Sequence, residues 1–459
     1  MDNTQRIGEE KVSKLLLDFS IPAIIGMLVS ALYNVIDRIF IGNSAGSLGI
    51  AGITIGFPIM VIQMAFGGLI GMGATSLVSI RLGQQKREEA ELIMGNAIML
   101  LSIITAVITV AGLTFLNPLL RVFGASNEVL PYARDYMSII LCGSVFQTFS
   151  FGLNNFIRAE GKPKIAMATM LIGTILNACL APLFIFVFHW GIRGAAFATV
   201  ISQAVSATWI ITHFVRGKST LKIRRQNFKL KKDIVTGILA IGIAPFAMQL
   251  AQCLLSAIMN QSLEYYGGDI AISGMGVIMS LMTLIMMPMF GINQGAQPII
   301  GFNYGAKKYD RVKEALKYAV LAATTIATIG FIVTRLFPSQ LIALFNSRDK
   351  ELIAFGSHAI LVNLIFLPII GFQIIGSGYF QAVGKPKQSM ILSLSRQLLI
   401  LIPALLILPR FFQLQGVLVA GPVADLLSSI ITGVWLFFEL RNLTQKQENN
   451  LVPKLADEE

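Results

Sequence analysis

The amino-acid sequence predicts an all-α integral membrane protein whose twelve transmembrane helices form two pseudo-symmetric six-helix bundles, arranged as parallel repeats. Three observations carry this. Of the 459 residues, 55% are hydrophobic and only 13% are charged, against about 25% charge in soluble domains, and the mean hydropathy is +0.72. Apolar runs long enough to cross about 30 Å of hydrocarbon recur along the whole chain. Finally, the sequence matches itself at a shift of 222 or 223 residues.

The runs fall at 15–42, 48–80, 92–117, 132–158, 166–188, 192–215, 234–262, 270–302, 314–336, 352–381, 388–409 and 415–440. They are too long for membrane strands and show no sustained alternation of apolar and polar residues, so they read as helices. Residues 1–14 are polar, and the first run carries Asp18, Asp37 and Arg38 with no A-x-A cleavage site after a short apolar core. The first helix is therefore read as a permanent span.

Lys and Arg number 36 against 24 Asp and Glu, a net charge of +12. Most of the excess sits after even-numbered spans, at Arg81, Lys86 and Arg87, at Arg158, Lys162 and Lys164, along 216–233, at Lys307 to Lys313, and at Lys385 and Lys387. By the positive-inside rule these loops and both termini are cytoplasmic. The division expected is a cytoplasmic N-terminus (1–14), an N-lobe (15–215), a basic linker (216–233), a C-lobe (234–440) and a cytoplasmic tail (441–459). The linker reads as a topology signal facing an anionic leaflet rather than a nucleic-acid patch. Cys142, Cys179 and Cys253 all lie in apolar stretches and suggest no disulfide or metal framework.

In the internal match Pro22 meets Pro245, Gly73-Ala74 meets Gly295-Ala296, Gly83 and Lys86 meet Gly305 and Lys308, and Gly194 meets Gly416. Ala159-x-Gly161-Lys162-Pro163-Lys164 meets Ala382-x-Gly384-Lys385-Pro386-Lys387. Each half has an even number of spans, so the halves are parallel repeats about an axis normal to the membrane. Two such bundles around a cleft suit alternating access, which a receptor or anchor does not need.

Together, the pattern Pro22…Asp37-Arg38-Ile39-Phe40-Ile41-Gly42, the two GKPK loops, Gly194-Ala195-Ala196 and the six-plus-six repeat resemble the multidrug and toxic compound extrusion (MATE) family, in its DinF-type, MepA-like branch. The resemblance covers nearly the whole chain. It implies a secondary-active efflux antiporter, not an enzyme, exporting amphipathic or cationic small molecules against H⁺ or Na⁺. It further implies a monomer among membrane lipids in a bacterial plasma membrane, with no cofactor and no nucleic-acid partner. A lipid-linked oligosaccharide flippase is the alternative within the same superfamily. That activity favours a strongly cationic cavity, whereas the intramembrane residues singled out below are neutral or acidic. Catalysis finds no support in the motifs, since His189, His213 and His358 are isolated and neither HExxH nor GxxxxGK[ST] occurs.

An acid inside an apolar helix costs about 2.5–3.5 kcal/mol on insertion scales and is a functional candidate by default. Asp37 is the clearest case, with Tyr33 one turn before it on the same face. A carboxyl that exchanges a proton as its surroundings change between cleft states would couple transport to H⁺; the alternative is an interfacial acid paired with Arg38. Asn154, Asn155, Asn177 and Thr199 are further polar residues in the first half. Taken alone they read as helix-packing groups; the resemblance implies that Tyr33, Asn154, Asn177 and Thr199 form a hydrogen-bonding shell around the acid. The chain departs from the family pattern Asn-x-x-Leu-Asp-Pro, because it has Asn177-Ala178-Cys179-Leu180-Ala181-Pro182. Either Asp37 acts alone or Ala181 is a substitution that removed a second acid.

In the second half Asp37 aligns with Asn260, and the seventh and tenth spans offer only Gln249, Gln252, Asn363 and Gln373. This shifts the expected coupling ion from Na⁺ towards H⁺. Asp425 is a candidate coupling or substrate-binding acid, or else a buried carboxylate satisfied by Ser428 or Ser429. Met275, Met279, Met282, Met286 and Met289 recur at helical spacing and suit either core packing or promiscuous apolar binding. Met275, Met279, Met282, Gln252, Asp425 and Phe149 are the candidate substrate contacts.

Overall fold

The computed structural model describes residues 3–216, 219–345 and 349–456; the side chains of 3, 4, 32–39, 41–48, 50, 257, 269, 446 and 448–456 lie outside that description. In chain order the helices are α1 (Asn3–Glu9), α2 (Val12–Gly83), α3 (Arg87–Thr114), α4 (Leu116–Val122), α5 (Leu130–Cys142), α6 (Ser144–Ala159), α7 (Pro163–Pro182), α8 (Gly191–Arg216), α9 (Lys232–Gly305), α10 (Tyr309–Leu336), α11 (Pro338–Ala343), α12 (Lys350–Asn363), α13 (Leu367–Ala382), α14 (Pro386–Leu394) and α15 (Ile402–Ala456). Two π-helical turns, Leu183–Val187 and Ser395–Leu401, follow α7 and α14. No strand occurs among the described residues, in keeping with runs that lack a period of two.

Nine stretches among the described residues are long and apolar enough to span a membrane, and the bent pairs α5–α6 (54°) and α12–α13 (52°) raise this to eleven. One of the nine, Pro386–Gln445, has 60 residues, about 90 Å of helix and three hydrocarbon thicknesses. Gln413 interrupts it with φ 51° and ψ −132°. Dividing it there gives the twelve spans that the sequence predicts. Val107, Val110, Leu284, Ile329 and Phe437 are each more than half exposed, as apolar side chains that face lipid are.

The repeat is visible in the backbone. Gln85 and Lys307, 222 residues apart, both take positive φ (61° and 58°), as do Gly161 and Gly384 (82° and 72°) and Gly191 and Gln413 (both 51°). The hydrogen bonds repeat as well. Lys86 N–H donates to Arg81 O and Lys308 N–H to Asn303 O, each at 2.9 Å. These left-handed turns end one helix and reverse the chain into the next.

The chain packs as two compact units, one holding Met1–Ile7 and Ile25–Gln249, the other Gly8–Ile24 and Leu250–Glu459. This division differs from the boundaries 15–215 and 234–440: the start of α9 belongs to the first unit and the start of α2 to the second. Small residues account for both crossings. In the first unit a Cβ on Gly73 would lie 3.0 Å from Gly242 N, and one on Gly242 would lie 2.6 Å from the Leu69 carbonyl carbon. In the second unit a Cβ on Gly295 would lie 2.8 Å from Ser20 N, and one on Gly291 2.9 Å from Ile24 Cα. Helices without a Cβ at the crossing meet backbone to backbone, which is where van der Waals packing in a membrane is strongest.

Candidate functional site

In the first unit, α7 and α8 are joined by a π turn and a short connection and so lie side by side. Gly194 permits this, since a Cβ there would stand 2.8 Å from Phe184 O. The pairing brings together Asn177 and Thr199, both buried. Asn177 Nδ2 donates to Thr199 Oγ1 at 3.2 Å, and Thr199 Oγ1 donates to Ala195 O at 3.0 Å. Asn177 Oδ1 is buried with no partner among the described residues. Asn154 is also buried, but its amide donates to Ala166 O at 2.9 Å and so ties α6 to α7; Asn155 donates to Phe151 O of its own helix. Tyr33 and Asp37 fall on α2, and their side chains lie outside the described residues.

One turn beyond Asn177, Ala181 is fully buried in an apolar cluster with Tyr136, Met137, Ile185, Ala195 and Ala196. The methyl group suits these neighbours.

In the second unit, Asp425 on α15 is buried, and Arg396 Nε on the π turn donates to its Oδ1 at 2.5 Å. Ser428 does not satisfy this carboxylate, because its hydroxyl donates to the Asp425 backbone carbonyl at 3.2 Å. Ser429 Oγ has no partner among the described residues. The acid is thus balanced by an arginine that the apolar run concealed, which corrects the expectation that intramembrane polar residues are only neutral or acidic. Next along, Gln397 Nε2 donates to Gln252 Oε1 at 2.9 Å. The methionine stripe divides: Met275, Met282 and Met289 are buried, while Met279 is 37% exposed. Phe149 is half-buried.

At and near the GKPK loops lie buried acids that the sequence did not single out. Glu160 is fully buried and is met by Lys162 Nζ (3.5 Å), His213 Nε2 (3.3 Å), Leu221 N–H (2.8 Å) and the Ser219 hydroxyl. In the second unit Lys385 pairs with buried Glu439, which also accepts from Tyr379 OH at 3.3 Å. The linker is pinned to α3, where buried Glu91 meets Arg224 Nε (3.0 Å) and Arg87 Nε (3.2 Å). Asn96 accepts from Lys231 N–H at 2.8 Å and donates to Asn227 O at 3.2 Å. Its cations therefore sit on a strap with fixed anchors. His213 is not isolated, and Arg158 is buried in the last turn of α6 rather than in a loop. The three cysteines are free and exposed.

Two parallel repeats of six spans, each with buried polar groups inside an apolar bundle, define a multi-pass membrane transporter. The MatE family model matches residues 22–183 and again 245–406, and the chain belongs to this family, whose members are transporters and not enzymes. The two matches begin and end at the same repeat shift. Multidrug export protein MepA of Staphylococcus haemolyticus is 28% identical over 444 residues, covering 97% of each chain. A solved MATE multidrug transporter, DinF-BH in complex with R6G, superposes with a TM-score of 0.87 at 42% identity, covering 94% of this chain and 96% of that one. An outward-facing multidrug resistance MATE transporter of the MOP superfamily gives 0.90 at 25% identity, covering 97% and 99%. The flippase alternative is not favoured by these relatives.

Proposed function

We propose that the protein is a multidrug efflux antiporter that exports amphipathic, often cationic, small molecules in exchange for H⁺ by alternating access. It works as a monomer in a bacterial plasma membrane, with the basic loops and both termini cytoplasmic and Na⁺ as the runner-up ion. Asp37 carries the exchanged proton, with Tyr33, Asn154, Asn177 and Thr199 as its polar surroundings. The observation that carries this reading is the buried Asn177–Thr199 pair, whose Asn177 Oδ1 has no partner among the described residues. An unpaired amide oxygen in an apolar bundle is costly, and a protonated carboxyl or a hydrated cation would satisfy it. Family membership supports export, and the small-molecule class follows from the MepA and DinF-BH relatives.

Bending of α2 and α9 fits the same cycle. The units divide between Ile24 and Ile25 and between Gln249 and Leu250, a few residues after Pro22 and Pro245. Proline removes an intrahelical hydrogen bond and gives the helix a place to kink. The lobes of 15–215 and 234–440 are in this view the sequence repeats, with their first helices shared across the packing boundary.

The test is efflux of a fluorescent cation from proteoliposomes under imposed proton or sodium gradients, applied separately, for the native chain and Asp37→Asn. Proton-driven efflux that disappears in Asp37→Asn is expected. Unchanged gradient-driven efflux in that variant overturns the assignment of Asp37.

A further inference from the structure

We infer that Arg396 is a receiving group for a carboxylate on the transported molecule. This rests on the transport reading above. The first ground is the incomplete use of the arginine. A guanidinium has five N–H donors in a rigid fork suited to bidentate carboxylate binding, yet Asp425 takes only the Nε edge. Neither Nη atom has a partner among the described residues. A purely structural ion pair inside a bundle would gain by using the whole fork, since charges are brought out of water only at a large desolvation cost.

The second ground is placement. Arg396 lies within the π turn Ser395–Leu401, and such turns are frequent where a helix presents functional groups. Its side chain is 16% exposed while Asp425 is 2% exposed, so the acid is the sealed partner and the arginine the accessible one. Gln397, next on the same turn, has a buried Oε1 with no partner among the described residues, a second polar group left open.

Charge selects the ligand class. The Arg396–Asp425 pair is neutral overall, and docking a carboxylate on the fork makes the group net negative. A molecule that brings its own cation offsets this, which favours a zwitterion over a simple anion.

The experiment uses a matched pair of dyes, rhodamine 6G and its de-esterified form, which share one xanthene body and differ in an ethyl ester against a free carboxylate. Binding of each to the purified full-length protein is followed by fluorescence. In Arg396→Gln/Asp425→Asn, which removes both charges and leaves no unpaired acid, the affinity for the carboxylate form relative to the ester is expected to fall by about tenfold or more. Arg396→Lys, which keeps the charge without the fork, is expected to fall between. An unchanged ratio in the double variant, or failure of the native protein to bind the carboxylate form, overturns the inference. Gradient-driven efflux of the ester by the native protein is measured alongside. Its absence counts against the transport reading, while the binding ratio still decides the role of Arg396.

Discussion

Lys385, in the loop between α13 and α14, forms an ion pair with buried Glu439 of α15, while its repeat partner Lys162 meets Glu160 of its own loop. The same lysine is thus held in both units by a carboxylate from a different place. At a shift of 223, Glu160 corresponds to Val383 and Glu439 to Arg216. Each unit has the acid where the other lacks it. The lysine closes the left-handed turn at Gly161 or Gly384, and what the repeat preserves is the neutralised turn rather than the identity of its acid.

Lys385→Met leaves Glu439 buried, with Tyr379 as its only hydrogen-bond donor among the described residues. Lys385 is a quarter exposed, so the loss is set at about 1–3 kcal/mol, below that of a fully sealed pair. Thermal unfolding in detergent should show that loss, and Lys385→Met/Glu439→Gln should recover most of it. No recovery in the double variant would mean that the lysine acts through packing alone.

The linker can be tested through its anchors. Glu160→Gln replaces an acceptor of Leu221 N–H, the Ser219 hydroxyl and Lys162 with a group half donor, while Glu91 still holds Arg224. Tryptic cleavage at Lys222, Arg224 and Arg225 is expected to speed up roughly tenfold, the equivalent of about 1.4 kcal/mol of local opening. Fragment masses locate the cuts. An unchanged rate would show that the contacts of Glu91 and Asn96 alone keep the strap closed.

Ala181 and the open oxygen of Asn177 stand four residues apart on α7, a spacing that places side chains on one face. An aspartic acid at 181 could, when protonated, donate to Asn177 Oδ1, which has no partner among the described residues. Ala181→Asp should therefore cost about 1 kcal/mol less than Ala198→Asp, an equally buried position in the same apolar cluster. Equal losses in unfolding midpoint would show that the free oxygen does not face residue 181.

The fold was legible because membrane spans and repeats are written in features that survive without packing detail: long apolar runs, cations in alternate loops, and glycines and prolines at constant shift. Asn177 and Thr199 were legible as types, and their pairing followed from adjacent helices. Arg396 was not, because one cation in 388–409 does not disturb an apolar window and its partner lies 29 residues away. Glu91, Asn96, Glu160 and Glu439 were passed over for a related reason. They sit at or near the ends of apolar runs, where an acid or amide looks like an ordinary surface group until the chain that covers it is placed. The exchange of helix starts between the packing units has no sequence signal apart from the paired glycines at 73 and 295.

Gln413 repeats the role of Gly191 without being glycine. Both take φ 51°, but Gln413 has ψ −132°, a region where a Cβ crowds the backbone and a residue other than glycine costs about 1–3 kcal/mol. Its side chain is exposed, so little is lost by removing it. Gln413→Gly should be stabilising. The relief is partly offset by the greater chain entropy of glycine, about 0.5–1 kcal/mol, which leaves a gain of about 1 kcal/mol and a rise of a few degrees at most in the unfolding midpoint. Gln413→Ala is the control, since it removes the same side chain but keeps the Cβ, and it should give no gain. A rise of equal size in both variants would trace the effect to the side chain and remove the case for strain at this turn.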